Sequence, residues 1–222
     1  MFDNIAPYYD FLNRLLTLRI DVLWRRKAIK AIENRQAKHI LDVATGTADL
    51  TVEINKQLQP EKIIGMDLSN EMLKIGRKKI ADKGLNNLIR LDQGDSENLQ
   101  YETGTFDAVT VAFGVRNFEN LQKGLKEINR VLKNSGQIVV LEFSRPTIFP
   151  FKQLFNLYFK YILPLIGKVT SKDPKAYQYL YESVQAFPDG EDFLAVLKES
   201  GFNSNKCKKL SLGICSIYIG FK

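Results

Sequence analysis

The spacing of apolar positions changes several times along this chain, and each change marks an element. Residues 4–16 set Ile5, Tyr8, Tyr9, Leu12, Leu15 and Leu16 at helical spacing, and 21–34 repeats it with Val22, Leu23, Trp24, Ala28, Ile29 and Ile32. After His39 the pattern becomes short apolar runs. Strands are predicted near 39–43, 62–67, 88–92, 106–113 and 136–143, with helices near 49–58, 70–83 and 119–133 between them. Asn70, with Ser69 before it, offers an N-cap and Gly84 a C-terminal stop, while Asn134-Ser-Gly136 ends the third of these helices. Residues 147–188 break the alternation with two predicted helices, about 149–162 and 174–186, on either side of Pro164 and Gly167. A helix over 191–200 follows Pro188-Asp-Gly190, and Cys207 to Phe221 reads as two strands meeting around Ser211-Leu-Gly213.

Alternating strands and helices predict an α/β fold with a mostly parallel sheet covered on both faces. The C-terminal hairpin adds an antiparallel strand. Ligands in such sheets sit at the carboxyl ends of the strands, so chemistry is sought there. No repeat, low-complexity segment or linker supports a second domain.

Composition narrows the partners. The chain has 222 residues, and 32 basic against 25 acidic residues give a net charge of +7. That permits a nucleic-acid or anionic-membrane partner without demanding one. Cys207 and Cys215 have neither CxxC nor zinc spacing, which suggests reduced thiols in a cytoplasmic protein. Charges at Asp3, Asp10, Arg14 and Arg19 argue against a signal peptide, and no run of about twenty uncharged apolar residues predicts a transmembrane helix. The one histidine, His39, stands at a strand entry, so Ser-His-Asp chemistry and a His-rich metal site are not expected. The basic runs at 25–27, 77–79 and 206–209 read as solvated faces.

Asp42-Val-Ala-Thr-Gly-Thr-Ala-Asp49 carries the candidate chemistry. A buried strand enters a small-residue turn and then a helix, but the G-x-G-x-x-G that lets backbone approach a pyrophosphate is absent. Carboxylates on both sides of the turn would repel a pyrophosphate and suit a ligand bearing an ammonium group, such as S-adenosylmethionine. Asp67 ends the second strand, where a carboxylate can accept both ribose hydroxyls. Asp95, in Gly94-Asp-Ser96, can accept from an exocyclic amine. The fourth strand runs into Gly114, Arg116 and Asn117, polar residues at the functional edge of the sheet. Each feature also has a plainer reading: a packing turn, an exposed strand-end acid, a simple turn, a surface loop.

Together these segments resemble the demethylmenaquinone/polyprenyl-benzoquinol C-methyltransferase family, a branch of the class I adenosylmethionine-dependent methyltransferases. The resemblance rests on residues 42–49, Asp67, 94–96, Phe113-Gly-Val-Arg-Asn117 and Leu141-Glu-Phe-Ser-Arg-Pro146, with Phe2–Asp10, Leu23–Arg26 and Tyr177–Ser183 similar too. It therefore covers essentially the whole chain. It implies a Rossmann-like sheet of seven strands in one domain, with residues 1–36 as a helical lid and 147–188 as an insertion over the substrate site. It implies cofactor contacts from Thr47, Asp67, Asp95 and Ser96, with Asp42, Gly46, Leu68 and Ala112 lining the site. Ala48 stands where the family has glycine, which is expected to tighten the pocket by a methyl. No metal is expected.

The implied reaction is methyl transfer to a ring carbon of a polyprenylated quinol, with demethylmenaquinol favoured over a benzoquinol. Arg116 is expected to stabilise the phenolate, with Asn117, Tyr8 and Tyr177 at the ring oxygens, and Phe113, Phe155 and Tyr181 against the substrate. Phe151, Leu154, Phe155, Tyr158, Phe159 and Ile162 form an apolar stripe. It would cover the isoprenoid tail or rest on a membrane surface, or else pack on the sheet; sequence patterns alone do not separate a lipid-facing stripe from a core stripe. A homodimer and peripheral contact with the inner face of the cell membrane are further expectations. The alternatives are another small-molecule or lipid acceptor, an RNA-binding or RNA-modifying protein, and a nonenzymatic membrane-surface binder. Aromatics here cluster with aliphatics and not with basic residues, which counts against RNA.

Overall fold

The computed structural model describes residues 17–157 and 174–222, with Ala6, Asp10, Asn13 and Arg14 before them; residues 154, 156 and 174–177 are described by backbone alone. Most of the predicted 4–16 helix, Tyr8 included, and residues 158–162 lie outside the described residues.

Five apolar runs become the parallel strands β1 (His39–Val43), β2 (Lys62–Asp67), β3 (Ile89–Gln93), β4 (Phe106–Ala112) and β5 (Leu132–Phe143). The tail supplies β6 (Asn203–Leu210) and β7 (Cys215–Phe221). One sheet results, in the order β3-β2-β1-β4-β5-β7-β6, with β7 antiparallel to both its neighbours. Alternate residues of the strands face opposite layers. Ile40, Ile63, Ala108 and Val139 pack under helices α1 (Ile20–Lys30), α2 (Asp49–Leu58) and α3 (Asn70–Asp82). Leu41, Ile64, Val109 and Ile138 pack under α4 (Leu121–Val131) and, after α5 (Phe151–Leu157) and α6 (Pro174–Ala186), α7 (Glu191–Glu199). Burial on both faces is why these strands read as unbroken apolar runs.

The cap of α3 falls one residue before Asn70: the Ser69 hydroxyl accepts from the Met72 amide. The segment at 132–136 differs from expectation. Leu132 already pairs with Phe106, and the ladder then resumes at Gln137 with Ala108, so Lys133–Gly136 form a bulge inside β5 instead of a helix end. Tertiary pairing of one leucine overrides the local stop signal. β6 begins at Asn203, earlier than Cys207, because an edge strand needs little apolar character. Its exposed Lys206, Lys208 and Lys209 discourage further strand addition.

Chain order reverses beside β1, which runs to β2 on one side and pairs with β4 on the other. The carboxyl ends of β1, β2 and β4 therefore open onto one crevice.

Candidate active site

That crevice is a cavity of about 260 Å³, near the lower end of the range for small-molecule sites. Its walls come from the ends of β1 and β2, the Gly94–Glu97 turn, and the Phe113–Glu119 loop after β4. Of the expected cofactor residues, Gly46, Asp67, Leu68, Asp95 and Ser96 lie on this wall.

The turn after β1 has an unusual backbone. Ala44, Gly46 and Ala48 all take left-handed dihedrals, φ 54°, 56° and 66°. Asp67 holds the turn against β2: one carboxylate oxygen accepts from the Gly46 amide at 2.8 Å, and the other accepts from the Ser69 amide at 2.8 Å. The acid is thus locked in place at the edge of the cavity. Across the crevice, a methyl group on Gly114 would lie 2.4 Å from the Ala44 side chain, so the β4 loop can sit this close to the turn only with glycine there. Phe113, beside it, is itself left-handed at φ 58°. Strain of this kind gathers where loops must present a set geometry.

Four expectations about the turn change. Asp42 is not on the cavity wall; it lies beneath, 1 % exposed, accepting from the Thr45 and Thr110 hydroxyls at 2.7 Å each. Ala48 does not narrow the pocket. It is fully buried in the core under α1–α3, facing Gly76 of α3. Asp49 is not held out for an ammonium ligand, because Lys79 sits 2.5 Å away and Arg14 and Arg25 each 3.6 Å away. Burial pushes the Asp49 carboxyl up, but these cations together hold it below the usual value. Arg25 and Lys79 are accordingly not solvated faces, their side chains being 11 % and 20 % exposed. Neither Thr47 nor Ala112 lines the cavity. The Thr47 hydroxyl donates to Asp10 at 2.6 Å, and Ala112 packs against the core.

Burial raises the Asp42 carboxyl to about 6, against the help of its two hydroxyl donors. The folded state then binds this proton more tightly than the unfolded chain does. The associated stability is complete below pH 4 and is lost as pH rises through about 6, a change of about 3 kcal/mol. Asp42→Asn lacks this term. Urea unfolding at a series of pH values should show the variant gaining on the wild type between pH 4 and 7. A constant difference would place the proton elsewhere.

The loop after β4 is held from behind. Glu142, on β5 and wholly buried, lies 2.7 Å from the Arg116 guanidinium. It also accepts from the Phe143 amide at 2.9 Å. Arg116, 7 % exposed, donates to the Phe113 carbonyl at 2.6 Å and stacks over the Phe143 ring. Its Nε is buried with no acceptor among the described residues. Burial pushes the Glu142 carboxyl above its ordinary value, even with Arg116 opposing. Arg116 therefore stands behind the cavity wall, whereas Phe113 and Asn117 are on it.

The Leu141–Pro146 segment is a junction. Besides Glu142, its Ser144 hydroxyl donates to the Gly213 carbonyl, and Arg145 pairs with Asp189 and donates to the Gln185 carbonyl. The hairpin turn, α6 and the start of α7 are thereby tied to the end of β5. Phe155 and Tyr181 meet in a small cluster with Val184 and Phe143, apart from the cavity wall. Phe155 is 5 % exposed, so at this position the stripe packs inward. Tyr177 lies on α6, and its side chain is outside the described residues, as is Tyr8. Tyr179, whose hydroxyl donates to Asn117 at 3.0 Å, and Glu142 stood out in the sequence only as parts of motifs, with no role of their own. No group of three or more His, Cys, Asp or Glu side chains that could hold a metal occurs among the described residues.

Similarity to known proteins gives the family and the fold. The model of the ubiE/COQ5 methyltransferase family matches residues 1–222. The demethylmenaquinone methyltransferase of Bacteroides fragilis is 46 % identical over 222 residues, covering 100 % of this chain and 91 % of its own. The ubiquinone/menaquinone biosynthesis C-methyltransferase UbiE of Geotalea uraniireducens is 44 % identical over 223 residues, covering 100 % and 94 %. Among solved structures, a SAM-dependent methyltransferase from Thermotoga maritima superposes with a TM-score of 0.69 at 18 % identity over the full length of both chains, a likeness of fold. A full-length family match and full-length relatives well above 30 % identity leave one conclusion: the chain belongs to the ubiE/COQ5 methyltransferase family.

Proposed function

We propose that this family member methylates a ring carbon of a polyprenylated quinol, with demethylmenaquinol as the preferred acceptor. The observation that carries this reading is the convergence of Asp67, Asp95, Phe113 and Asn117 on one crevice in a chain that matches the family end to end. The Bacteroides fragilis relative's name favours the naphthoquinol.

The residues present suit S-adenosylmethionine. Asp67 offers a fixed carboxylate to the ribose hydroxyls, Asp95 an exposed one to the adenine edge, and the Gly46 turn a thin wall. When bound, the cofactor supplies a methyl group on a cationic sulfur, open to in-line displacement. The quinol must then be reduced, since only an electron-rich ring carbon attacks. Phe113 gives the ring a flat apolar face, and Asn117, steadied by Tyr179, meets a ring oxygen. Arg116 keeps a permanent positive charge one layer behind, where it favours a developing phenolate and fixes the loop. The reading is tested with labelled S-adenosylmethionine and chemically reduced demethylmenaquinone, against the oxidised quinone and a benzoquinol. Label in the reduced naphthoquinol is expected, and label in none of them removes the proposal.

A membrane-surface contact is the finer part of this reading. No helix among the described residues is long and apolar enough to cross a membrane. Large exposed apolar side chains nevertheless gather at the cavity end of the sheet: Leu18, Leu23, Ile148, Phe149 and Leu212 are each more than half exposed. The start of α1 and the hairpin turn are joined there by Trp24 donating to Ser211 at 2.8 Å. An isoprenoid substrate would be met at that end. Co-sedimentation with anionic vesicles should fall severalfold in Phe149→Asp or Leu212→Asp. Equal binding by both variants would move the contact elsewhere.

A further inference from the structure

Lys79 of α3 belongs to a basic run, yet it behaves as nothing on a solvated face would. An ammonium has three hydrogens. Here they meet three acceptors on two separate pieces of chain: Asp10 at 2.9 Å, Thr47 at 3.3 Å and Asp49 at 2.5 Å. Asp10 lies before α1, Thr47 is in the turn after β1, and Asp49 opens α2. The Thr47 hydroxyl closes the ring by donating to the other oxygen of Asp10 at 2.6 Å. The second Asp49 oxygen faces Arg14 and Arg25, and Arg25 pairs with Asp21, which is almost fully buried. Three acids and three bases thus form one partly buried network, joining the segment before α1 to the cofactor turn.

Lys79 reaches the turn because α3 comes close to it. A methyl at Gly76, one helical turn earlier, would lie 3.2 Å from the Ala48 side chain and 3.3 Å from the Thr47 backbone. Asp67 holds the turn at Gly46, and the buried Ala48 packs against α3. Docking of the segment before α1 adds a hold at Thr47 and Asp49, through groups that are largely withdrawn from water and therefore interact strongly.

We propose that Lys79 is a positioning residue for the cofactor turn: it clasps the segment carrying Asp10 onto Thr47 and Asp49, so that docking of that segment and cofactor binding favour each other. Such coupling acts equally in both directions. The second half of this inference rests on the turn being the S-adenosylmethionine site, while the first half does not.

Two measurements on the full chain separate the two. In limited trypsinolysis without ligand, cleavage after Arg14 and Arg19 is followed by mass spectrometry. Lys79→Met and Asp10→Asn should each speed it about tenfold, the double variant no further, and Lys79→Arg less. Lys78→Met, at an exposed neighbour, is the control and should match the wild type. In calorimetric titration, S-adenosylmethionine should bind Lys79→Met about tenfold more weakly, with KM for the cofactor raised and kcat at saturation little changed. Saturating cofactor should slow cleavage of the wild type and slow it less in Lys79→Met. Wild-type cleavage rates in Lys79→Met, or independent effects of the two substitutions, would overturn the clasp. Wild-type cofactor affinity in Lys79→Met would overturn the coupling. Failure of the wild type to bind S-adenosylmethionine would instead remove the cofactor reading and, with it, the coupling.

Discussion

Glu142→Ala should cost about 3–5 kcal/mol of folding stability, a large part of what a domain of this size possesses. The substitution leaves Arg116 buried with its charge unmatched and takes an acceptor from the Phe143 amide. Arginine cannot shed its proton. The converse variant, Arg116→Met, should be milder, because the carboxyl left behind is already displaced upward by burial and can take up a proton. The asymmetry is the informative result, and urea unfolding of both variants reads it directly. An Arg116→Met protein less stable than Glu142→Ala would mean that the carboxylate is not what holds the arginine. In activity, Arg116→Ala should lower the single-turnover methylation rate about a hundredfold, about 2.7 kcal/mol, with cofactor affinity unaltered. An unchanged rate would remove Arg116 from the chemistry.

Asp67→Ala should weaken S-adenosylmethionine binding about a hundredfold or more, about 3 kcal/mol. Two effects combine. The carboxylate is lost from the cavity wall, and the Gly46 and Ser69 amides lose the acceptor that joins the turn to the end of β2. Asp67→Asn keeps a carbonyl acceptor but not the charge, so it should fall between. Calorimetric titration checks the series, and wild-type affinity in Asp67→Ala would place the ribose elsewhere.

Several features were legible because they depend on neighbours along the chain. Apolar runs of strand length separated by helical periods were enough for the sheet and its two covered faces. The strand-end position of Asp67 and the polar Gly94–Ser96 turn placed both on the cavity wall by topology alone. The Phe113–Asn117 and Leu141–Pro146 motifs pointed to one family, and the full-length match agrees.

Other features depend on which distant side chains share a volume, and no local pattern carries that. Arg116 looked like a group facing substrate until Glu142, 26 residues away, was found opposite it. Ala48 looked like part of a pocket wall, but its left-handed backbone turns the methyl to α3. Lys79 and Arg25 looked solvated because charge runs usually are, yet acids from other elements withdraw them from water. The sequence by itself determined the layered sheet, the end at which the ligand site lies and the family, since periodicity, strand ends and short motifs are local. Only the tertiary structure decided which charges face the cavity and which are already matched behind it. Long-range electrostatic pairing and backbone handedness set that outcome.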